Sequence, residues 1–149
     1  MPVKKEIIKQ ILQETLIKDV MSKPVITVKD TDDFALVHEK LSLYDIRHMP
    51  VVNEAGVVVG LITQRDMYKI HSPRKLEDGT WYYDKEALHQ FILKNVMYEN
   101  PFTLKGDQAL YEAVDAMIRF KFGAIPIVDD YKIPQGILTR VNVLKFLVK

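Results

Sequence analysis

The chain has 149 residues, 48% of them apolar and 28% charged, with a net charge of +1 and no cysteine. That length fits one compact domain or two small units sharing a core. Near-neutrality supplies no field to draw the chain to nucleic acid or a membrane surface, and the missing cysteines exclude disulfides and thiolate metal sites. The opening MPVKKEIIKQ lacks the apolar core of a secretory signal. The longest apolar stretch, residues 57–62, is far too short to span a membrane, so a cytoplasmic location is expected.

In chain order, residues 3–16 set Ile7, Ile8, Ile11, Leu12 and Leu16 on one helical stripe, with lysines and glutamates opposite. This helix either packs on its own module or covers a dimer partner. After the Lys23-Pro24 break, residues 25–28 predict a short strand. Thr31 or Asp32 then caps a helix with Phe34, Val37, Leu41 and Tyr44 on its apolar face. Residues 49–52 read as a strand, Asn53-Glu54-Ala55-Gly56 as a turn with Gly56 at positive φ, and residues 57–62 as a buried strand. Thr63 opens a helix containing Met67, Tyr68 and Ile70. The stretch 71–91 holds the only tryptophan. Asp78-Gly79 predicts a hairpin turn there, and Asp84 caps a helix carrying Leu88, Phe91, Ile92 and Val96. Further on come a strand at 102–104, a helix showing Leu110, Val114, Met117 and Ile118, strands at 125–128 and 135–138, and a last helix at 141–148. Pro134 is expected to shorten its strand or to lie at an open edge.

The order strand, helix, strand, strand, helix therefore occurs twice. KDVMSKPVITVK at 18–29 returns as KNVMYENPFTLK at 94–105, and HMPVVNEAGVVVGLITQRD at 48–66 returns as AIPIVDDYKIPQGILTRVN at 124–142, both at an offset of 76 residues. Each copy, at roughly 50 residues, is too small to bury a comfortable core alone, so two copies should pack pseudo-symmetrically. The fold class is α/β (α+β): an N-terminal helix at 1–16, a first repeat at 17–70, an insertion at 71–91 and a second repeat at 92–149.

Thr63-Gln64-Arg65-Asp66 is the sharpest chemical candidate. Thr63 ends a strand and opens a helix, where free amides can receive a phosphate. Asp66 lies one turn on, and a carboxylate accepts hydrogen bonds from both hydroxyls of a ribose. Arg65 offers a guanidinium fork. Thr-x-x-Asp is equally a capping box, in which the two side chains merely satisfy helix amides. Both readings stay open on the motif alone. In the second copy Thr139 and Arg140 are present but Asn142 replaces the aspartate, a difference on the order of 1–2 kcal/mol for such a bond.

The pattern VM…P…T followed by MPVV…G…VVGLIT-x-x-D closely resembles the cystathionine-β-synthase-type (CBS) domain, and two in tandem resemble the Bateman module. The resemblance implies a regulatory ligand-binding module rather than an enzyme. Its ligands would be AMP, ADP, ATP, S-adenosylmethionine or a dinucleotide, in clefts between paired sheets, with no required cofactor. It also implies pairing into a homodimer, and a regulated protein partner that the sequence does not name. By resemblance Asp66 is the ribose-binding acid and Thr63 its partner, Arg47-His48 faces the phosphate-bearing end, and the segments 22–27 and 99–103 frame the base. The candidate set is then Lys23, Pro24, Val25, Thr27, Arg47, His48, Pro50, Thr63, Arg65 and Asp66. Asn100, Pro101, Phe102, Ala124, Pro126, Thr139 and Asn142 form a second, weaker cleft. Arg47-His48 becomes Gly123-Ala124 in the second copy, so both charge differences favour the first. The plainer alternatives are ordinary core roles for Val25 and Phe102 and a solvated basic pair at Arg47-His48.

No catalytic constellation is visible. His38, His48, His71 and His89 lack metal-ligand spacing, and neither a Gly-rich phosphate loop nor a nucleophile elbow occurs. Asp32-Asp33 and Asp129-Asp130 read as turn and cap residues rather than an acid–base pair. The competing function is a structural or interaction module with unused clefts, acting through dimerisation or partner contact.

Overall fold

The computed structural model describes residues 2–70, 74–82, 88 and 93–149. Asp84, Phe91, Ile92, His71 and His89 lie outside the described residues. Among the described residues no helix is long and apolar enough to cross a membrane. The expected α+β order is present in both repeats, and the chain divides into two compact units that do not follow the sequence repeats. One unit comprises residues 26–101, the other residues 1–25 with 102–149.

The 26–101 unit holds β1 (Val28–Lys29), α2 (Phe34–Leu43), β2 (His48–Val52), β3 (Val58–Thr63), α3 (Gln64–Ile70), the two short strands β4 (Arg74–Lys75) and β5 (Trp81–Tyr82), and β6 (Tyr98–Glu99). Its main sheet runs β1-β2-β3-β6. β1 is parallel to β2, while β2–β3 and β3–β6 are antiparallel. The strand expected at 25–28 is confined to β1, and the carbonyl of Thr27 is taken by Lys40 Nζ at 2.7 Å.

The cap of α2 is Asp33, whose side chain accepts from the amide of Leu36, rather than Thr31 or Asp32. Asp32 serves the preceding turn instead, accepting from Lys29 N–H at 2.8 Å. Phe34, Val37 and Leu41 are buried as expected; Tyr44 ends the helix and is exposed, so it leaves the predicted face. β3 is not buried throughout. Val58, Gly60 and Ile62 face the core and the residues between are half-buried, the period-two pattern of a one-sided strand. Gly56 takes the expected positive φ of 82°. The hairpin predicted around Asp78-Gly79 forms, with Lys75 opposite Trp81 and Gly79 at a φ of 93°.

The other unit holds α1 (Pro2–Glu14), β7 (Leu104–Lys105), α4 (Leu110–Phe120), β8 (Ala124–Val128), β9 (Pro134–Thr139) and α5 (Arg140–Val148). Its sheet runs β7-β8-β9. The strand predicted at 102–104 starts later, and Phe102 is 39% exposed. On α4 the buried positions are Leu110, Ala113, Ala116 and Met117, whereas Ile118 is exposed and so leaves the predicted face. Pro134 does not shorten β9. It is the first residue of a six-residue strand, opposite Val128 at a register shift, where its missing N–H costs no ladder bond. From the α1 stripe only Leu12 is buried; Ile7, Ile8 and Ile11 are exposed. The amide of Leu110 donates to Thr15 at 2.7 Å and Lys9 lies over the Tyr111 ring, tying α1 to α4.

In each unit the lead-in of one repeat docks on the sheet of the other. Ser22 and Ile137 exchange backbone hydrogen bonds at 2.9 and 3.1 Å, and Ile17 packs with Leu110, Ile125 and Leu138. Leu93 and Met97 likewise pack with Phe34, Met49 and Ile62, while Tyr98 pairs with Leu61. This close approach explains one glycine per repeat. A Cβ on Gly60 would press on the Met97 thioether, so an extra carbon requires that flexible side chain to move. A Cβ on Gly136 would stand 2.5 Å from Met21 Sδ and 2.9 Å from the Ser22 carbonyl.

Candidate functional site

Each unit has one seat at the end of its second long strand, β3 or β9. In the 26–101 unit, Thr63 N–H and Thr63 Oγ1 both donate to Asp66 Oδ2, at 2.9 and 3.0 Å. Asp66 N–H donates back to Thr63 Oγ1 at 3.2 Å. This is the reciprocal cap that the motif allowed, and it engages one carboxylate oxygen only. Among the described residues the other, Oδ1, meets Lys69 Nζ at 3.9 Å, and the Asp66 side chain is 19% exposed. One oxygen thus holds the turn, while the second accepts no hydrogen bond among the described residues and has only the Lys69 ammonium near it.

The other unit repeats the cap with different chemistry beyond it. Thr139 N–H and Oγ1 donate to Asn142 Oδ1 at 2.8 and 3.0 Å, and Asn142 N–H returns to Thr139 Oγ1 at 3.2 Å. Asn142 Nδ2 donates to Ser22 Oγ at 2.9 Å. Where Asp66 offers an acceptor, Asn142 holds a donor that is already engaged.

The neighbouring charges also differ. Arg140 stands at the register of Gln64, not of Arg65, because Thr139 matches Thr63 at the repeat offset. Its guanidinium is committed to the end of α4, with Nε and Nη2 donating to the carbonyls of Phe122 and Lys121 at 3.2 and 3.0 Å. Lys121 itself has a φ of 60°, the left-handed turn that ends a helix and leaves carbonyls for a cation to meet. Arg65 is exposed. His48 is the cross-strand partner of Thr63 and Ala124 that of Thr139; the buried Pro50 and Pro126 lie opposite Leu61 and Ile137. Arg47 accepts Gln64 N–H on its carbonyl at 2.9 Å. Its side chain borders a hollow of about 350 Å³ with His38, Ser42, Asp45 and Gln64; Asp66 does not line it.

The profile of the CBS domain matches residues 17–72 and 93–149. The chain belongs to the CBS-domain family. A solved relative is the CBS domain pair of protein MJ0100 in complex with 5′-methylthioadenosine and S-adenosyl-L-methionine, at 27% identity, with a TM-score of 0.74 over 90% of this chain and 96% of that one. A CBS domain-containing protein of Dictyostelium discoideum is 28% identical over 91% of this chain and 93% of its own length. The L-aspartate semialdehyde sulfurtransferase of Methanocaldococcus jannaschii is also 28% identical over 87% of this chain, but the chain spans only 22% of that protein.

Within this CBS pair the crossed lead-ins sort the candidate residues differently from the copies they come from. Lys23, Pro24 and Val25 lie in the unit of Thr139 and Asn142; Asn100 and Pro101 lie in the unit of Thr63 and Asp66. Phe102 is with Asn142, stacked on Phe122 at a centroid distance of 5.5 Å, and Phe122 in turn stacks on Phe120. Thr27 is with Asp66. Lys23 and Pro24 are exposed, joined by a cis peptide, and Asn100 has a φ of 48°. Ser22 lies in the segment 22–27 expected to frame the base, but sequence reasoning assigns it no role of its own and it is absent from the candidate set. Its signal was present, since the repeat offset puts Ser22 against Tyr98 just as it puts Asn142 against Asp66, and the two differences occur together.

Proposed function

We propose that this CBS pair is a regulatory module that binds an adenosine-containing ligand, with the ribose hydroxyls held by Asp66. The observation that carries this reading is the division of labour in the Asp66 carboxylate. Oδ2 secures the turn through Thr63, and Oδ1 stays available to two hydroxyl donors. The ligands named for the MJ0100 domain pair, 5′-methylthioadenosine and S-adenosyl-L-methionine, share an adenosine core and support the same ligand class here. AMP, ADP and ATP belong to that class. Arg47, His48 and Arg65 are the basic side chains of this unit assigned to the charged end of such a ligand, and Asn100 and Pro101 are assigned to its base. The module carries no catalytic step in this account; ligand binding biases its conformation and so reports to a protein partner.

Thermal shift with AMP, ATP, S-adenosylmethionine and NADH tests the reading. At least one should raise the melting temperature of the wild type, and Asp66→Ala should abolish the rise. An unchanged rise in Asp66→Ala would sink the assignment. A second reading, an interaction module with unused seats, is favoured by the exposed Ile7, Ile8 and Ile11 on α1. It predicts no shift with any of the four ligands, together with self-association that Ile8→Glu weakens in sedimentation.

A further inference from the structure

We infer that Ser22 is a specificity-determining residue that closes the second seat to ribose, making this pair a one-site module. The inference rests on the reading of Asp66 above and extends it to a residue outside that set. The amide of Asn142 is fixed in orientation by its neighbours. Thr139 N–H can only donate, so the atom it meets at 2.8 Å is Oδ1, and Nδ2 must turn toward Ser22. Both lone pairs of Oδ1 are used, by Thr139 N–H and Thr139 Oγ1. Nδ2 spends a proton on Ser22 Oγ. A ribose brings two hydroxyls to this place and finds Oδ1 already full, so neither can donate to it as to a carboxylate, and the one remaining Nδ2–H is the only contact on offer from Asn142.

Ser22 is held against β9 through its backbone, so only rotation of its exposed side chain can move the hydroxyl. Its own N–H donates to Ile137 at 2.9 Å and its carbonyl accepts from Ile137 at 3.1 Å, which adds it to the edge of β9. Gly136 brings the two backbones together, since even a methyl group there would meet the Ser22 carbonyl at 2.9 Å. The counterpart position in the other unit is Tyr98, paired with Leu61 on β3 in the same way. Tyr98 is 61% exposed and makes no described bond to Asp66, so Oδ1 there has only the Lys69 ammonium near it, at 3.9 Å. Serine with asparagine closes one seat; tyrosine with aspartate leaves the other open.

The test counts bound AMP and S-adenosylmethionine by calorimetry and native mass spectrometry. Wild type should bind one equivalent per chain and Asp66→Ala none. Asn142→Asp should bind a second equivalent weakly, because the Ser22 hydroxyl then donates into the new carboxylate. Ser22→Ala with Asn142→Asp should bind it at least ~10-fold more tightly, and in the Asp66→Ala background should restore one equivalent. A ligand-independent readout accompanies this. The side-chain amide protons of Asn142 should exchange with solvent several-fold faster in Ser22→Ala than in wild type. Equal affinity for the second equivalent with and without Ser22, two equal sites in wild type, or unchanged Asn142 exchange in Ser22→Ala would each overturn the role of Ser22. Unchanged binding in Asp66→Ala alone would instead overturn the reading beneath it. Absence of binding in every form would remove both.

Discussion

Asp66→Asn separates the two readings of Thr-x-x-Asp, and the protein already contains the answer for one of them. Asn142 makes the same three cap contacts as Asp66, at 2.8, 3.0 and 3.2 Å against 2.9, 3.0 and 3.2 Å. An asparagine at 66 therefore keeps the turn, and the cost to folding should stay within ~0.5 kcal/mol. Binding should fare differently. The substitution turns the outward acceptor Oδ1 into an N–H donor and removes the charge that strengthens bonds from ribose hydroxyls. A loss of about 2 kcal/mol follows, or roughly a 30-fold rise in Kd for the adenosine ligand. Asp66→Ala loses the cap as well and should cost about 1 kcal/mol in stability. Urea unfolding measures the first quantity and titration calorimetry the second. Wild-type affinity in Asp66→Asn, or a loss of stability as large as that of Asp66→Ala, would refute the separation of roles.

The two close-approach glycines should respond unequally. Gly136→Ala meets a backbone carbonyl as well as Met21, whereas Gly60→Ala meets only the flexible Met97 side chain. Gly136→Ala should cost ~1–3 kcal/mol and Gly60→Ala less, read as melting-temperature shifts; the reverse order would contradict the docking of Ser22 on β9. At Asp78 the backbone amide of Thr80, and then its hydroxyl, hold the carboxyl below its usual range. A lowered folded pKa stabilises the turn above the ordinary carboxylate pKa, and that contribution disappears as pH falls through the folded value. The Thr80 amide resonance should therefore move only at pH below the usual aspartate range, and movement centred above that range would contradict the bond.

The elements were legible because their signals are local. Phe34, Val37 and Leu41 at helical spacing, the turn at Gly56 and the constant repeat offset each lie within a few residues or a direct sequence match. Cap choice was less so. Three neighbouring polar residues all suit a helix start, and which one bonds Leu36 depends on where Asp32 turns. The crossed lead-ins left no local trace at all. Ser22 meets Ile137 through backbone bonds that any residue can make, and β6 has two residues, too few for a period. The site motif was readable, as was the asymmetry between Asp66 and Asn142. Its geometry was not, because the oxygen a cap leaves over depends on which one Thr63 engages.

Ligand stoichiometry decides whether the pair has one ribose seat or two. Native mass spectrometry of the wild-type chain with saturating S-adenosylmethionine or AMP should show one ligand per chain, lost in Asp66→Ala and retained in Asn142→Ala. One ligand that survives Asp66→Ala but departs with Asn142→Ala would contradict the account.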